Sequence, residues 1–424
     1  MTPPRHPRYE SLDLWRGFAC LLVVVFHTSY GYAVTFEMKR NLAEQGGRPV
    51  EWLAASTGEF WIGVPLFFVI SGYCIAASAD SSRRKPNAAG RFFLRRFRRI
   101  YPPLWVFLGG TFLAILAMPE AWFPGSKPEG LGEPITPWNR LEPANWLGMI
   151  TLTEEWRHHF GGPPKGYLMG HLWTLCYEEQ FYLVAGLLVL VARRWFFAGV
   201  GVVSAGVLLL LATGTVFPGF FFDGLWLAFA CGVAVYYRIN HATPIIARAL
   251  DAAIAGVFVM NAGVFRNWVA FQPNLQSYLA VGSAAGLAMA WLHRFDGALT
   301  KIRWLAPVGF CGRICYSLYL VHAPITAIVA WNCYRFGITD PLGTLTVTLP
   351  LGVGLSVAAG WVFHRWVELR FMNPAGPSGS VADQPASRPE CSRAGTESVE
   401  LPKTRRPDPG ASDGSGHERL TSSV

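Results

Sequence analysis

An all-α, polytopic membrane protein with about ten transmembrane helices is the fold class predicted by three features of this 424-residue chain. Hydrophobic residues make up 52% of it and charged residues only 15%. Its mean hydropathy is +0.29. Apolar segments long enough to cross about 30 Å of hydrocarbon recur at 12–34, 58–79, 100–118, 174–192, 195–213, 219–237, 249–265, 276–293, 306–334 and 343–366. The expected organisation is one transmembrane unit over residues 1–372 with an outer loop at about 119–170, followed by a tail at 373–424.

The first span carries Arg16 and His27, with ten residues between them. An ionisable side chain inside a bilayer costs at least roughly 2.5–3.5 kcal/mol, so its presence argues for a function. Eleven steps of about 100° return His27 to within about 20° of Arg16, and a rise of about 1.5 Å per residue separates them by roughly 16 Å. They occupy one stripe at two depths. Basic residues precede this run as in a signal peptide, yet its length and these two side chains point to a retained signal-anchor.

Span two contains Gly63-Val-Pro-Leu-Phe-Phe-Val-Ile-Ser-Gly72. Its Gly63, Ser71 and Gly72 are suited to close helix approach. The connection that follows, 80–99, holds Arg83, Arg84, Lys85, Arg91, Arg95, Arg96, Arg98 and Arg99 against one acidic residue, so it is expected to face the cytoplasm. Threading ten spans puts Arg193, Arg194, Arg238, Arg248, Arg294, Lys301, Arg303, Arg365 and Arg370 on that side, with both termini cytoplasmic. The net charge of +9 is therefore mainly topological, and no nucleic-acid partner is expected. The run Arg95-Arg-Phe-Arg-Arg99-Ile-Tyr-Pro-Pro103 sets guanidinium groups at the mouth of span three, where arginine is suited to bidentate phosphate capture. Topology alone would also demand such a cluster.

The outer loop carries Trp122, Trp138, Trp146 and Trp156, the acidic residues Glu120, Glu129, Glu133 and Glu142, and the patch Glu154, Glu155, His158, His159. It could dock an acceptor, or its tryptophans could form an interfacial aromatic belt. Span four opens with His171-Leu-Trp-Thr-Leu-Cys-Tyr-Glu178-Glu-Gln-Phe-Tyr182, in which His171 and Glu178 are seven apart and share a face. Glu178 needs a partner at this depth, and His27 is the natural candidate. A histidine oriented by a carboxylate is a general-base arrangement for activating a hydroxyl; an ion pair that only ties helices together is the alternative. Spans seven and eight are interrupted or bordered by Asp251, Asn261 and Asn274. Seven of the eight cysteines lie in or beside apolar segments, and none forms a metal-ligand or paired framework; Cys311 and Cys315 are expected to share a helix face. No metal is expected. The tail, rich in Ser, Gly, Pro and mixed charge, is expected to be disordered and is too short for an added catalytic domain.

Taken in order, Arg16 and His27, Gly63 to Gly72, Arg95-Arg96 with Arg99-Ile100 and Pro102, His171-Leu-Trp-Thr-Leu with Glu178-Glu-Gln-Phe-Tyr182, Gly312 with Tyr316-Ser-Leu-Tyr-Leu-Val-His322-Ala-Pro324, and Glu368 resemble acyltransferase family 3, from about residue 9 to 371. The resemblance implies a ten-helix integral membrane enzyme that moves an acyl group, most often acetyl, from cytoplasmic acyl-CoA to a hydroxyl reached from the far side. The implied acceptor is a carbohydrate, glycolipid or other hydroxyl compound of the cell envelope, and the implied location is the inner (plasma) membrane. It further implies acyl-CoA as co-substrate with no tightly bound cofactor, Arg16, Arg95 and Arg99 on the donor, His27 as base with Glu178 orienting it, and Ser71, His171, Tyr316 and His322 lining the substrate passage. Pro65 stands where the family commonly has an acidic residue, which leaves no role here for that carboxylate. The chain is expected to be a bare transferase, without the hydrolase-like C-terminal domain of some relatives. A proton-coupled transporter or exporter is the competing class, since a buried histidine and carboxylate also make a proton relay. Against it stand the lack of matching broken helices in two halves and the arginine cluster followed by Pro102-Pro103.

Overall fold

In the computed structural model, residues 9–30, 42, 44–82, 87–118, 138–262 and 273–372 are described. Every regular element among them is helical: α1 (Leu12–Tyr30), α2 (Pro49–Ser56), α3 (Gly63–Ser82), α4 (Ala88–Ala117), α5 (Pro143–Thr151), α6 (Trp173–Val191), α7 (Phe196–Ala212), α8 (Trp226–Asn240), α9 (Pro244–Ala262), α10 (Pro273–Leu292), α11 (Ala306–Arg313), α12 (Cys315–Arg335) and α13 (Leu349–Phe363), joined by short 3-10 and π turns. Arg83, Arg84, Lys85, Glu120, Trp122, Glu129, Glu133, Asn274's side chain and the tail at 373–424 lie outside the described residues.

The chain is a multi-pass membrane protein. Among the described residues, eight helical segments are long and apolar enough to cross a bilayer, and α11 with α12 makes a ninth crossing when counted as one span bent by 81°. The bend falls at Ile314, so Cys311 and Cys315 lie on two differently directed helices and do not share the face expected of them. The expected sixth span is shorter than its sequence suggested. Gly219 and Gly224 adopt positive φ, a turn intervenes, and α8 begins only at Trp226. Its 15 residues extend about 22 Å, short of the roughly 30 Å needed. The turn from Gly219, packed on Glu155, carries the remainder of the segment, and its other end reaches Asp80 of α3 through His241, so the segment still runs the depth of the bundle, with Trp226 and Phe229 fully enclosed.

Close backbone approaches order the bundle. A Cβ on Gly72 would lie 1.9 Å from the Phe229 carbonyl oxygen, and one on Gly232 would lie 1.8 Å from that of Val69, so α3 and α8 cross through paired glycines. The α1–α11 crossing repeats the device, with Gly17 against Val308 and Gly312 against Asp13. Polar residues inside the expected seventh span find partial satisfaction: Asp251 pairs with Arg238 of α8 at 2.5 Å, and Asn261 Nδ2 donates to the Val257 carbonyl at 2.7 Å while its buried Oδ1 has no partner.

Candidate active site

Helix α1 forms one wall of the site. Near its start Arg16 donates to Asp13 at 3.1 Å and, through its other terminal nitrogen, approaches Cys74 Sγ at 2.9 Å. Arg16 and Cys74 line a cavity of about 110 Å³ together with Arg96 and Arg99 of α4, Ser71 of α3, and Glu178 and Tyr182 of α6. Cys315, Tyr316 and Tyr319 of α12 also line it. The interior stripe of α4 runs through Phe92, Ile100 and Pro103. Arg96 and Arg99 flank that stripe and are half-buried, whereas Arg95 is rotated to the exposed side and lines no part of the cavity. The third guanidinium of the cluster is thus Arg96, whose charge lies 5.0 Å from the centre of the Tyr182 ring.

The middle of the cavity is built around one carboxylate. Ser71 Oγ donates to Glu178 Oε1 at 2.8 Å, and the Tyr182 hydroxyl donates to the same oxygen. These bonds replace the expected pairing of Glu178 with His27. Helix α6 turns Glu178 toward α3 and the arginines, while His171, in the 3-10 turn before α6, points to the other end of the site. Ser71 therefore serves the cavity, and Gly63 and Gly72 alone carry the close packing expected of that segment. Tyr316 lines the same space, with its hydroxyl donating to the Ile100 carbonyl at 2.7 Å, beside the prolines that interrupt the ladder of α4.

Beyond the cavity, one α-helical turn past Val23, three imidazoles converge. The His27 ring lies 4.9 Å from that of His322 and 6.5 Å from that of His171, and the latter two are 5.0 Å apart. His27 Nδ1 is 2.9 Å from the Val23 carbonyl oxygen and 3.3 Å from His322 Nε2. His322 is fully buried, His171 is 6% exposed with both ring nitrogens unpartnered, and His27 alone of the three is half-buried. The Tyr319 hydroxyl, at 2.8 Å from the His171 carbonyl and 3.0 Å from Thr174 Oγ1, joins this cluster to the cavity, which Thr174 and Tyr319 also line. Among the described residues no group of three or more His, Cys, Asp or Glu side chains is arranged to hold a metal ion.

The outer segment divides into a structural part and an aromatic part. Glu154 is buried and held by Arg157, Asn145 and the Gly166 amide; Glu155 is held by Lys165 at 2.9 Å and by the Tyr167 hydroxyl at 2.8 Å. Burial pushes the Tyr167 phenol above its ordinary range, so it donates as a neutral hydroxyl. These carboxylates tie the loop to itself and are not free to dock an acceptor. His159 Nε2 lies 2.7 Å from the Pro218 carbonyl. Trp138, Trp146, Trp105 and Phe112 line an open groove of about 550 Å³ on the far face of α4.

Sequence reasoning missed Arg96, Cys74, Thr174, Tyr182 and Tyr319 as site residues. Arg96, Thr174, Tyr182 and Tyr319 belonged to segments already singled out, and helical phase relative to the apolar stripe would have favoured Arg96 over Arg95. Nothing local marks Cys74, which is drawn into the site by the crossing of α1 and α3.

Residues 9–365 match the family model described as an acyltransferase domain. The chain is 25% identical over 340 residues to the peptidoglycan O-acetyltransferase OatA of Listeria monocytogenes serovar 1/2a, an alignment that takes in 75% of this chain and 49% of that protein. It therefore spans about half the length of that relative. It is 31% identical over 341 residues to nodulation protein 10 of Rhizobium leguminosarum bv. viciae, covering 77% of this chain and 82% of the relative. With the putative membrane-bound transacylase BcsY of Komagataeibacter xylinus the identity is 25%, over 78% and 75% of the two chains. No solved structure matches.

Proposed function

The chain belongs to the acyltransferase family whose model it matches over residues 9–365, and from that premise we propose that it is a membrane O-acyltransferase. It takes an acyl group, acetyl in the simplest case, from acyl-CoA on the cytoplasmic side and delivers it to a hydroxyl of a carbohydrate or glycolipid on the other side. The name of the Listeria relative, a peptidoglycan O-acetyltransferase, supports the class of reaction and a glycan-type acceptor, and that of the Komagataeibacter relative, a membrane-bound transacylase, supports acyl transfer. The observation that carries the reading is the two-depth layout of one passage: guanidiniums of Arg16, Arg96 and Arg99 around one end of a cavity and His27 one helical turn beyond it.

The arginines hold the anionic donor and aim its thioester along the cavity. Three positive charges in a confined space bind phosphate or polarise a carbonyl more strongly than they would in water. His27 supplies the base. Its Nδ1 faces the Val23 carbonyl, which only accepts, so the proton of the neutral ring sits on Nδ1 and the lone pair on Nε2. Nε2 takes the proton as the acceptor oxygen attacks the acyl carbonyl carbon. The tetrahedral intermediate collapses, the C–S bond breaks, and the departing thiolate recovers the proton from His27. Glu178, held by Ser71 and Tyr182, keeps the middle of the passage polar and fixes the facing helices rather than orienting the base. With the arginine-rich end cytoplasmic, both termini lie in the cytoplasm and the membrane is the inner (plasma) membrane.

The test is transfer of label from radioactive acetyl-CoA into glycan and lipid fractions by inverted vesicles carrying the wild-type protein or His27→Ala. Label that requires the histidine is the expected result. Equal labelling by both proteins removes His27 as the base, and absence of labelling across several acyl-CoA donors overturns the enzyme reading.

A further inference from the structure

We propose that His322 is the positioning residue for His27, filling with a neutral imidazole the place that a carboxylate was expected to fill. This rests on the reading of His27 as the base and adds to it the group that sets its tautomer and aim.

The hydrogen-bond pattern leaves one self-consistent arrangement. His322 Nδ1 lies 2.7 Å from the Tyr319 carbonyl oxygen and 3.2 Å from that of Leu318. Both are acceptors, so Nδ1 of His322 carries the proton and its Nε2 carries the lone pair. That Nε2 lies 3.3 Å from His27 Nδ1. A lone pair on His27 Nδ1 would face two acceptors at once, the Val23 carbonyl and His322 Nε2. The Nδ1–H tautomer instead donates to both, and the reactive lone pair of His27 is confined to Nε2. The two ring planes meet at 68° with their centres 4.9 Å apart.

The surroundings fit an orienting role better than a substrate contact. His322 has no exposed surface, and it does not line the cavity. Its helix is held in place at this depth by the Tyr319 hydroxyl on the His171 carbonyl and by Thr174. The titratable groups facing the pair are His171, from the turn before α6, and Tyr319, one turn back along α12. Phe26 of α1 flanks His27, and Phe107 of α4 closes on His171. Glu178, the carboxylate singled out from the sequence, is committed to Ser71 and Tyr182. When His27 gains the acceptor's proton at Nε2, its Nδ1–H becomes a stronger donor, and His322 Nε2 together with the Val23 carbonyl stabilises the cation.

The experiment reads His27 directly. Diethyl pyrocarbonate acylates the neutral imidazole nitrogen, and peptide mass spectrometry follows the rate at His27 as a function of pH in membranes bearing wild type, His322→Leu and His322→Gln. Gln offers an acceptor oxygen near the place of Nε2 and Leu offers none; Met substitutes for Leu if that variant does not fold. In the Leu variant the midpoint of the His27 profile is expected about one pH unit lower and acetyl transfer to fall roughly tenfold or more, with KM for acetyl-CoA unchanged. Gln should restore both. Equal midpoints in wild type and Leu, or equal shifts in Leu and Gln, overturn the proposal. Because carbethoxylation consumes neither acyl donor nor acceptor, a Gln-rescued shift alongside full transfer by His27→Ala would sink the base assignment while leaving the pairing intact.

Discussion

In the proposed mechanism Arg16 and His27 divide the chemistry between two ends of one helix face, and that division predicts different kinetic signatures for their neighbours. Arg99 lines the end of the cavity proposed to take the donor. Arg99→Ala should raise KM for acetyl-CoA about tenfold or more while kcat changes less, the pattern of lost ground-state binding. Arg95→Ala, outside the cavity, should leave both within about twofold; a loss equal to that of Arg99→Ala would return Arg95 to the donor site. Cys74, beside the Arg16 guanidinium, offers an independent probe. Bound acyl-CoA should slow its alkylation by a maleimide, measured by mass spectrometry, and unchanged labelling at saturating donor would separate the cavity from the donor path. Glu178 makes the opposite point about inference from single residues. Its chemistry called for a partner in the membrane, and the fold supplies Ser71 and Tyr182 rather than His27.

At the scale of elements, the site depends on how closely helices cross. Gly312 lets α11 touch α1 next to Arg16, and Gly72 and Gly232 let α3 meet α8. A side chain at Gly312 would meet the Asp13 backbone at under 2 Å, where neither partner is the end of a flexible side chain. Gly312→Val should therefore destabilise the folded protein by about 3 kcal/mol or more and lower its melting temperature in detergent. Gly354→Ala, at an open position on α13, is the matched control, and equal behaviour of the two would show that the crossing tolerates widening. The bend at Ile314 belongs to the same logic. By separating α11 from α12 it frees α11 to cross α1 at Gly312, while α12 carries Tyr316, Tyr319 and His322 along the passage.

For the whole molecule, the testable quantity is sidedness. Ser81, in the last turn of α3, and Phe160, between α5 and α6, are both exposed. With the arginine-rich connection cytoplasmic, a membrane-impermeant maleimide added to intact cells should label Phe160→Cys and spare Ser81→Cys, and permeabilisation should expose the second. The reverse pattern would place the donor arginines on the wrong side for a cytoplasmic thioester.

The membrane class, the approximate spans and the placing of Arg16 and His27 along one helix were readable in the sequence because each is a local property: hydropathy over a window and phase along one helix. His27, His171 and His322 were also visible as candidates through the motifs that contain them. The tertiary structure alone decided which of these meet. It brought His322 to His27, turned Glu178 to Ser71, exchanged Arg95 for Arg96, and shortened the sixth apolar segment into the buried helix α8. The physical reason is that helical phase fixes the face on which a side chain lies, whereas the neighbour on that face is fixed by interhelical crossings. Those crossings are set by glycines whose contacts lie tens to hundreds of residues away along the chain.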